Sequence, residues 1–192
     1  MSFDCGRERF ERRDLKVLET GLGRLGVEPA KEALFDFLTF HDLLLEANSN
    51  INLTKVIGWS DVVQRHYLDS LSVILAAPSL HEGKDMILDV GSGFGMPGFP
   101  LNWIFPGNNF FLLESTKKKL TFMDSVIERM RLCNIETVLG RAEDLAKVEC
   151  HRENYSLVSL LYTSDAADAT PCVDLCGRRI IKKKMEGGGG GG

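Results

Sequence analysis

Ile87-Leu88-Asp89-Val90-Gly91-Ser92-Gly93-Phe94-Gly95-Met96-Pro97-Gly98 is the stretch that decides the fold. A short apolar run, Met86 to Val90, reads as a buried strand between turn residues. Glycines at 91, 93, 95 and 98 follow it directly. Glycine adopts positive φ without steric cost and lets the backbone come close to a ligand. A glycine loop at the carboxyl end of a strand is where doubly wound α/β sheets bind small molecules.

Downstream, strand and helix patterns alternate. Asn109–Leu113 reads as a second strand after a short helix near 100–104. Lys118–Cys133 reads as a helix, with Leu120, Met123, Ile127 and Met130 at helical spacing. Ile135–Leu139 and Tyr155–Ser159 read as third and fourth strands. Strands separated by helices build βαβ units and a mainly parallel sheet. The predicted fold is therefore α/β and Rossmann-like, with a core over residues 81–159.

Upstream, residues 1–80 read as a helical region. Residues 31–47 place Leu34, Phe37, Leu38, His41, Leu44 and Leu45 on one stripe, and Asn48, Ser49 and Asn50 end that helix. Asp14–Thr20 predicts an earlier helix closed by a Gly21–Gly26 loop. Asp61–Ala76 predicts a third, capped by Ser60 or Asp61 and stopped before Pro78. From Leu160 onward no period of 2 or 3.6 is sustained, and the last six residues are all glycine. The expectation for 160–192 is a non-native or disordered tail that leaves the sheet incomplete. The basic cluster Arg178, Arg179, Lys182, Lys183 and Lys184 lies in that tail and is not read as an RNA-binding arm.

Composition bounds the function. The chain has 192 residues, 44% of them hydrophobic, and a net charge of −4, which suits a folded domain and argues against a bulk electrostatic grip on nucleic acid. No stretch approaches a membrane span, and the charged N-terminus lacks a signal-peptide core, so the expected compartment is the cytoplasm. The five cysteines, Cys5, Cys133, Cys150, Cys172 and Cys176, are irregularly spaced, as expected of reduced thiols, and form no zinc-ligand pattern. No metal is expected.

Two cofactors compete for the glycine loop. Gly93-x-Gly95-x-x-Gly98, with Glu114 further on, meets the letters of a dinucleotide fingerprint. Pro97, however, stands where a helix should offer N–H groups to a pyrophosphate. S-adenosylmethionine carries no phosphate. It needs close backbone contact at residues such as Gly91 and Gly93, and an acid ending the next strand for its ribose hydroxyls. Glu114 supplies that acid, and S-adenosylmethionine is the cofactor read here. Gly140-Arg141-Ala142-Glu143-Asp144, after the third strand, is a weaker candidate for the adenine edge. Gly21-x-Gly23-x-x-Gly26 also fits the fingerprint but follows a helix and fails the context test.

Assembled, these residues resemble the bacterial small-subunit (16S) ribosomal RNA guanine-N7 methyltransferases, the glucose-inhibited division protein B family. The resemblance runs from about residue 30 to Ser159. It rests on Asn52-Leu53-Thr54, on His66-Tyr67-Leu68-Asp69-Ser70-Leu71, and on the glycine loop with its Pro97-Gly98-Phe99-Pro100 ending. Leu113-Glu114-Ser115 followed by Lys118 and Lys119, and Arg141-Ala142-Glu143, complete it. The resemblance implies cofactor contacts at Gly91, Met96, Ala142 and Glu143, with Glu114 on the ribose. It implies small-subunit ribosomal RNA as partner, with Lys117, Lys118, Lys119, Arg65 and His66 as candidate RNA contacts. Asp69 and Ser70 are read as holding the Asn52–Thr54 loop. Guanine N7 carries a free lone pair at neutral pH, so no catalytic proton-transfer residue is expected. An arginine that the family carries after the fourth strand is replaced here by Leu160 and Leu161, where the resemblance stops. A monomer is expected. A truncated, inactive cofactor-binding module and a dinucleotide-dependent oxidoreductase are the alternatives.

Overall fold

Strand β1 (Met86–Val90) lies at the centre of a five-stranded sheet in a computed structural model that describes residues 15–151, 154–160 and 180–182. Its neighbours are β2 (Asn109–Glu114) and β4 (Leu157–Leu160). Outside these lie β3 (Ile135–Leu139) and β5 (Ile180–Lys182), giving the order β3-β2-β1-β4-β5. Every pairing is parallel. This is the order of a doubly wound sheet around its first strand.

Side chains alternate across the strands. Ile87, Phe110, Leu112, Ile135 and Leu157 join the large core, whereas Leu88, Leu113 and Val158 join a smaller one on the other face. The same alternation puts Asp89, two residues after Ile87, and Glu114, two after Leu112, on the side of the large core. They stand at the carboxyl ends of adjacent central strands.

Helices α1 (Leu15–Arg24) and α2 (Lys31–Ile51) form a cap with a third helical stretch, α3, over residues 59–75. In α2 the buried positions Ala33, Phe37, Phe40 and Leu44 recur at three- and four-residue spacing, the pattern of a one-sided helix. Asn52 closes α2 in the left-handed region, which asparagine tolerates. The cap meets the sheet through α4 (Gly98–Ile104). Phe37, Phe40, Tyr67, Phe99 and Trp103 pack ring against ring there, with centroids 4.8–6.3 Å apart. Each such pair adds about 0.5–1.5 kcal/mol beyond its buried area. Helix α5 (Lys117–Met130) crosses from β2 to β3, and a short α6 (Ala142–Leu145) follows β3.

Several elements depart from the sequence reading. Helix α1 runs through Gly21 and Gly23 instead of ending before them. Gly21 packs on Leu68 so closely that a Cβ would overlap its side chain, so glycine here serves helix packing. Helix α3 starts at Trp59 after Gly58, without the side-chain cap expected from Ser60 or Asp61. It continues as a π-helical turn (Val63–Leu68), an α-turn (Asp69–Leu71) and a 3₁₀ turn (Ser72–Leu75). The fourth strand begins at Leu157, not Tyr155. A fifth strand, Ile180–Lys182, extends the sheet inside the stretch read as strandless, paired Val158 to Ile180 and Ser159 to Ile181. Otherwise the expected tail lies outside the described residues.

Candidate cofactor cleft

The glycine loop leaves β1 and is tied at once to β2. Gly91 and Ser92 both donate their N–H to the Leu113 carbonyl, at 2.9 and 3.1 Å, and Ser92 Oγ donates to the Asp89 carbonyl at 2.8 Å. Gly91, Gly93 and Gly95 have φ of 74°, 61° and 99°, so none of the three could readily be another residue.

The glycines divide by what surrounds them. A Cβ at Gly91 would meet nothing within 4 Å, and one at Gly93 would approach only the Gly91 carbonyl at 3.9 Å. A Cβ at Gly95 would overlap Phe99, and one at Gly98 would overlap Leu112. Gly91 and Gly93 thus line open space, whereas Gly95 and Gly98 serve internal packing. The open side of 91 and 93 is a cradle in which backbone can touch a ligand.

Glu114 closes the cradle from β2. Its Oε2 accepts the Gly93 N–H at 3.0 Å and its Oε1 accepts the Thr116 N–H at 2.9 Å. The residue is 5% exposed. Ser115 Oγ also donates to Oε1, at 3.4 Å. A carboxylate has about four lone-pair sites, so one remains, on Oε2, for a hydroxyl of a ligand. Lys119 Nζ lies 3.8 Å from Glu114 Oε2, which places this lysine beside the acid.

Asp89 lies beneath the loop. Its Oδ2 accepts the Gly98 N–H at 3.1 Å, so the first amide of α4 is already engaged. Its Oδ1 has no hydrogen-bond partner among the described residues. Burial pushes its carboxyl up from 3.8 to about 7, against the Gly98 hydrogen bond that lowers it, and the charge of Glu114 adds to the rise. A dinucleotide would need the helix amide that Asp89 occupies.

The remaining expected residues scatter around this centre. Met96 is buried under the loop, where its sulfur accepts a hydrogen bond from Ser70 Oγ at 3.6 Å. Ala142 and Glu143 open α6 beyond β3, Ala142 half-buried and Glu143 exposed. The β3 turn is linked to the centre by the Gly140 N–H, which donates to the Glu114 carbonyl at 3.2 Å. Lys117 and Lys118 are exposed at the start of α5. Arg65 is exposed and lies 3.8 Å from Asp61, one turn away. His66 is half-buried, its Nε2 3.2 Å from Thr54 Oγ1.

The Asn52–Thr54 loop has an anchor beyond those expected. Asn48, read only as a helix terminator, clamps Thr54 at both backbone groups: Asn48 Nδ2 donates to the Thr54 carbonyl at 2.9 Å and its Oδ1 accepts the Thr54 N–H at 2.8 Å. Ser70 bonds Met96 instead. Of the two phenylalanines of this stretch, Phe99 is fully buried in the core and Phe94 is half-buried against His66. Among the described residues there is no group of three or more metal-ligating side chains, and no helix is long and apolar enough to cross a membrane.

A parallel sheet ordered 3-2-1-4-5, an open glycine cradle after the first strand and an acid ending the second define a Rossmann-like methyltransferase fold. The sequence comparisons narrow the class. The chain belongs to the GidB family, described as rRNA small subunit methyltransferase G, whose model matches residues 34–160. A relative named Ribosomal RNA small subunit methyltransferase G, from Dehalococcoides mccartyi (strain CBDB1), is 38% identical over 174 residues, covering 88% of this chain and 73% of that protein. One of the same name from Lachnoclostridium phytofermentans is 40% identical over 146 residues, covering 76% of this chain and 60% of that protein. Another, from Thermoanaerobacter pseudethanolicus, is 43% identical over 121 residues, or 63% of this chain and half of that protein. Among solved structures, the putative methyltransferase yhhF from Escherichia coli aligns with a TM-score of 0.49 at 12% identity, over 60% of this chain and 68% of that one.

Proposed function

We propose that this chain binds S-adenosylmethionine in the Gly91–Glu114 cleft and forms the catalytic core of an enzyme that methylates guanine N7 in small-subunit (16S) ribosomal RNA. The observation that carries the cofactor assignment is the open face of Gly91 and Gly93 beside the Glu114 carboxylate. The RNA assignment rests on the family and on the names of its relatives.

When bound, S-adenosylmethionine supplies a methyl group already activated on a sulfonium. The work left to the protein is alignment and exclusion of water. Gly91 and Gly93 admit a ligand to backbone contact, and Glu114 keeps an acceptor site for a ribose hydroxyl. Met96 sits beneath the loop and sets its floor. Ala142 and Glu143 flank the side of the cleft that would take an adenine. Guanine N7 needs no deprotonation, so no general base is required among these residues. Correct orientation of two reactants can lower a barrier by about 7–11 kcal/mol. Lys118 and Arg65 are exposed cations suited to phosphate contacts at the rim.

The test is thermal unfolding with increasing S-adenosylmethionine, alongside Glu114→Ala. The parent midpoint is expected to rise saturably, and the variant to lose that rise as well as some intrinsic stability, because Glu114 also braces Gly93 and Thr116. A cooperative transition with no rise would refute the cofactor assignment, and NAD would be tested next. Methyl transfer from labelled cofactor to small-subunit RNA then tests the substrate. Binding without transfer would mark the chain as a cofactor-holding module.

A further inference from the structure

We propose that His66 is a positioning residue that joins the segment following α2 to the cofactor loop, so that the two sides of the cleft are set by one side chain. The proposal rests on the reading of the cleft as a methyl-donor site. The imidazole reaches both sides at once. On one, its Nε2 lies 3.2 Å from Thr54 Oγ1. On the other, its ring meets Phe94 edge to face, with centroids 5.1 Å apart and planes at 82°. Phe94 sits between Gly93 and Gly95, both of which have positive φ.

Thr54 is a fixed anchor, not a loose contact. Asn48 holds its N–H and its carbonyl, and its Oγ1 accepts the Val56 N–H at 3.1 Å. The hydroxyl proton of Thr54 is then available for Nε2, an arrangement that a neutral imidazole protonated on Nδ1 satisfies. Burial favours that neutral form by holding the His66 pKa below its ordinary value. The Arg65 charge lowers it further, whereas the Asp69 charge and a backbone hydrogen bond at Arg65 raise it. A chain of contacts thus runs from α2 through Asn48, Thr54 and His66 to Phe94.

The local helix geometry fits this role. His66 falls within the π-helical turn Val63–Leu68, a widened turn that recurs at functional sites. Its neighbour Tyr67 is fully buried in the aromatic core, so the helix is anchored there while His66 faces the cleft rim. Four residues on, Ser70 makes a second contact with the same loop through Met96. The loop is therefore gripped at positions 94 and 96 by one helix, and only the grip at 94 extends to Thr54. The candidate RNA contact at His66 is better explained as this internal link.

Thr54→Val is the informative variant, because it removes the hydroxyl, keeps the side-chain shape and touches neither the loop nor the cofactor. Backbone amide NMR spectra of the full chain are expected to show shifted Gly93, Phe94 and Gly95 resonances in Thr54→Val. Titration with S-adenosylmethionine is expected to show binding weakened about three- to tenfold, the scale of one lost hydrogen bond. His66→Ala should do the same, the double variant should be no worse than His66→Ala alone, and Thr54→Ser should restore the parent values. Unmoved loop resonances in Thr54→Val, or losses that multiply in the double variant, would overturn the proposal. If the parent itself does not bind S-adenosylmethionine, the cofactor assignment falls, and the loop resonances alone then decide the role of His66.

Discussion

Asp89 is a buried carboxyl whose protonation the fold controls. Its pKa is raised from 3.8 to about 7, chiefly by burial, so the folded chain holds the proton more tightly than the unfolded chain does. The stabilisation this gives is complete below 3.8 and is lost as pH rises through about 7. Asp89→Asn keeps an acceptor for the Gly98 N–H and removes the titration. Chemical denaturation at about pH 5 and about pH 8 should therefore show the variant gaining on the parent as pH rises; parallel pH curves would contradict the assignment. The loop glycines give a second contrast. Gly95→Ala combines a strained φ with overlap on Phe99 and should cost about 1–3 kcal/mol or more in unfolding experiments. Gly91→Ala has the strain without the overlap and should destabilise less, yet it should suppress the cofactor-induced rise in midpoint, because its methyl would enter the cradle. The cradle and its acid were legible because they form a local pattern, a strand running into glycines and a second strand ending in Glu114. The Asn48–Thr54 and Ser70–Met96 bonds were not legible, since their partners are fixed by tertiary placement.

Element by element, strong periodic signals translated well and glycines misled. Helices α2 and α5 and strands β1 to β3 fall within a few residues of their predicted limits, since each carries a continuous apolar stripe or run. Helix α1 shows the opposite case. Intrinsic propensity sets glycine about 1 kcal/mol below alanine in a helix, which favours a break at Gly21, but close packing on Leu68 overrides it. Gly21→Ala should therefore destabilise despite its better propensity, by about 1–3 kcal/mol, because the Leu68 side chain has to move. Circular dichroism through a thermal melt measures this, and a more stable variant would show that the contact yields freely. The π-helical turn in α3 had no sequence signal, since its apolar spacing also fits an ordinary α-helix.

At the scale of the whole molecule, the cleft depends on pairings far apart in sequence. Strand β1 needs β2 on one side and β4, some seventy residues later, on the other. Ligand binding to the folded state alone stabilises it by mass action, by about 2.7 kcal/mol at a hundredfold excess over Kd. For a chain of this length that corresponds to a rise of about 5–10 °C in the melting midpoint, which differential scanning fluorimetry resolves. The fifth strand was missed because its apolar run is only Ile180 and Ile181, too short to show a period.

Of the two tryptophans of the chain, Trp103 sits where the helical cap meets the sheet and Trp59 lies within the cap. Trp103 lies among Phe37, Phe40, Tyr67 and Phe99, and Trp59 packs against His41 and Tyr67. Intrinsic fluorescence is therefore an optical readout of cap docking, with no indole in the glycine loop itself. An emission change on adding ligand would report that the signal had travelled from the loop through Phe99 into this cluster, while a silent spectrum would leave binding to be followed by other means.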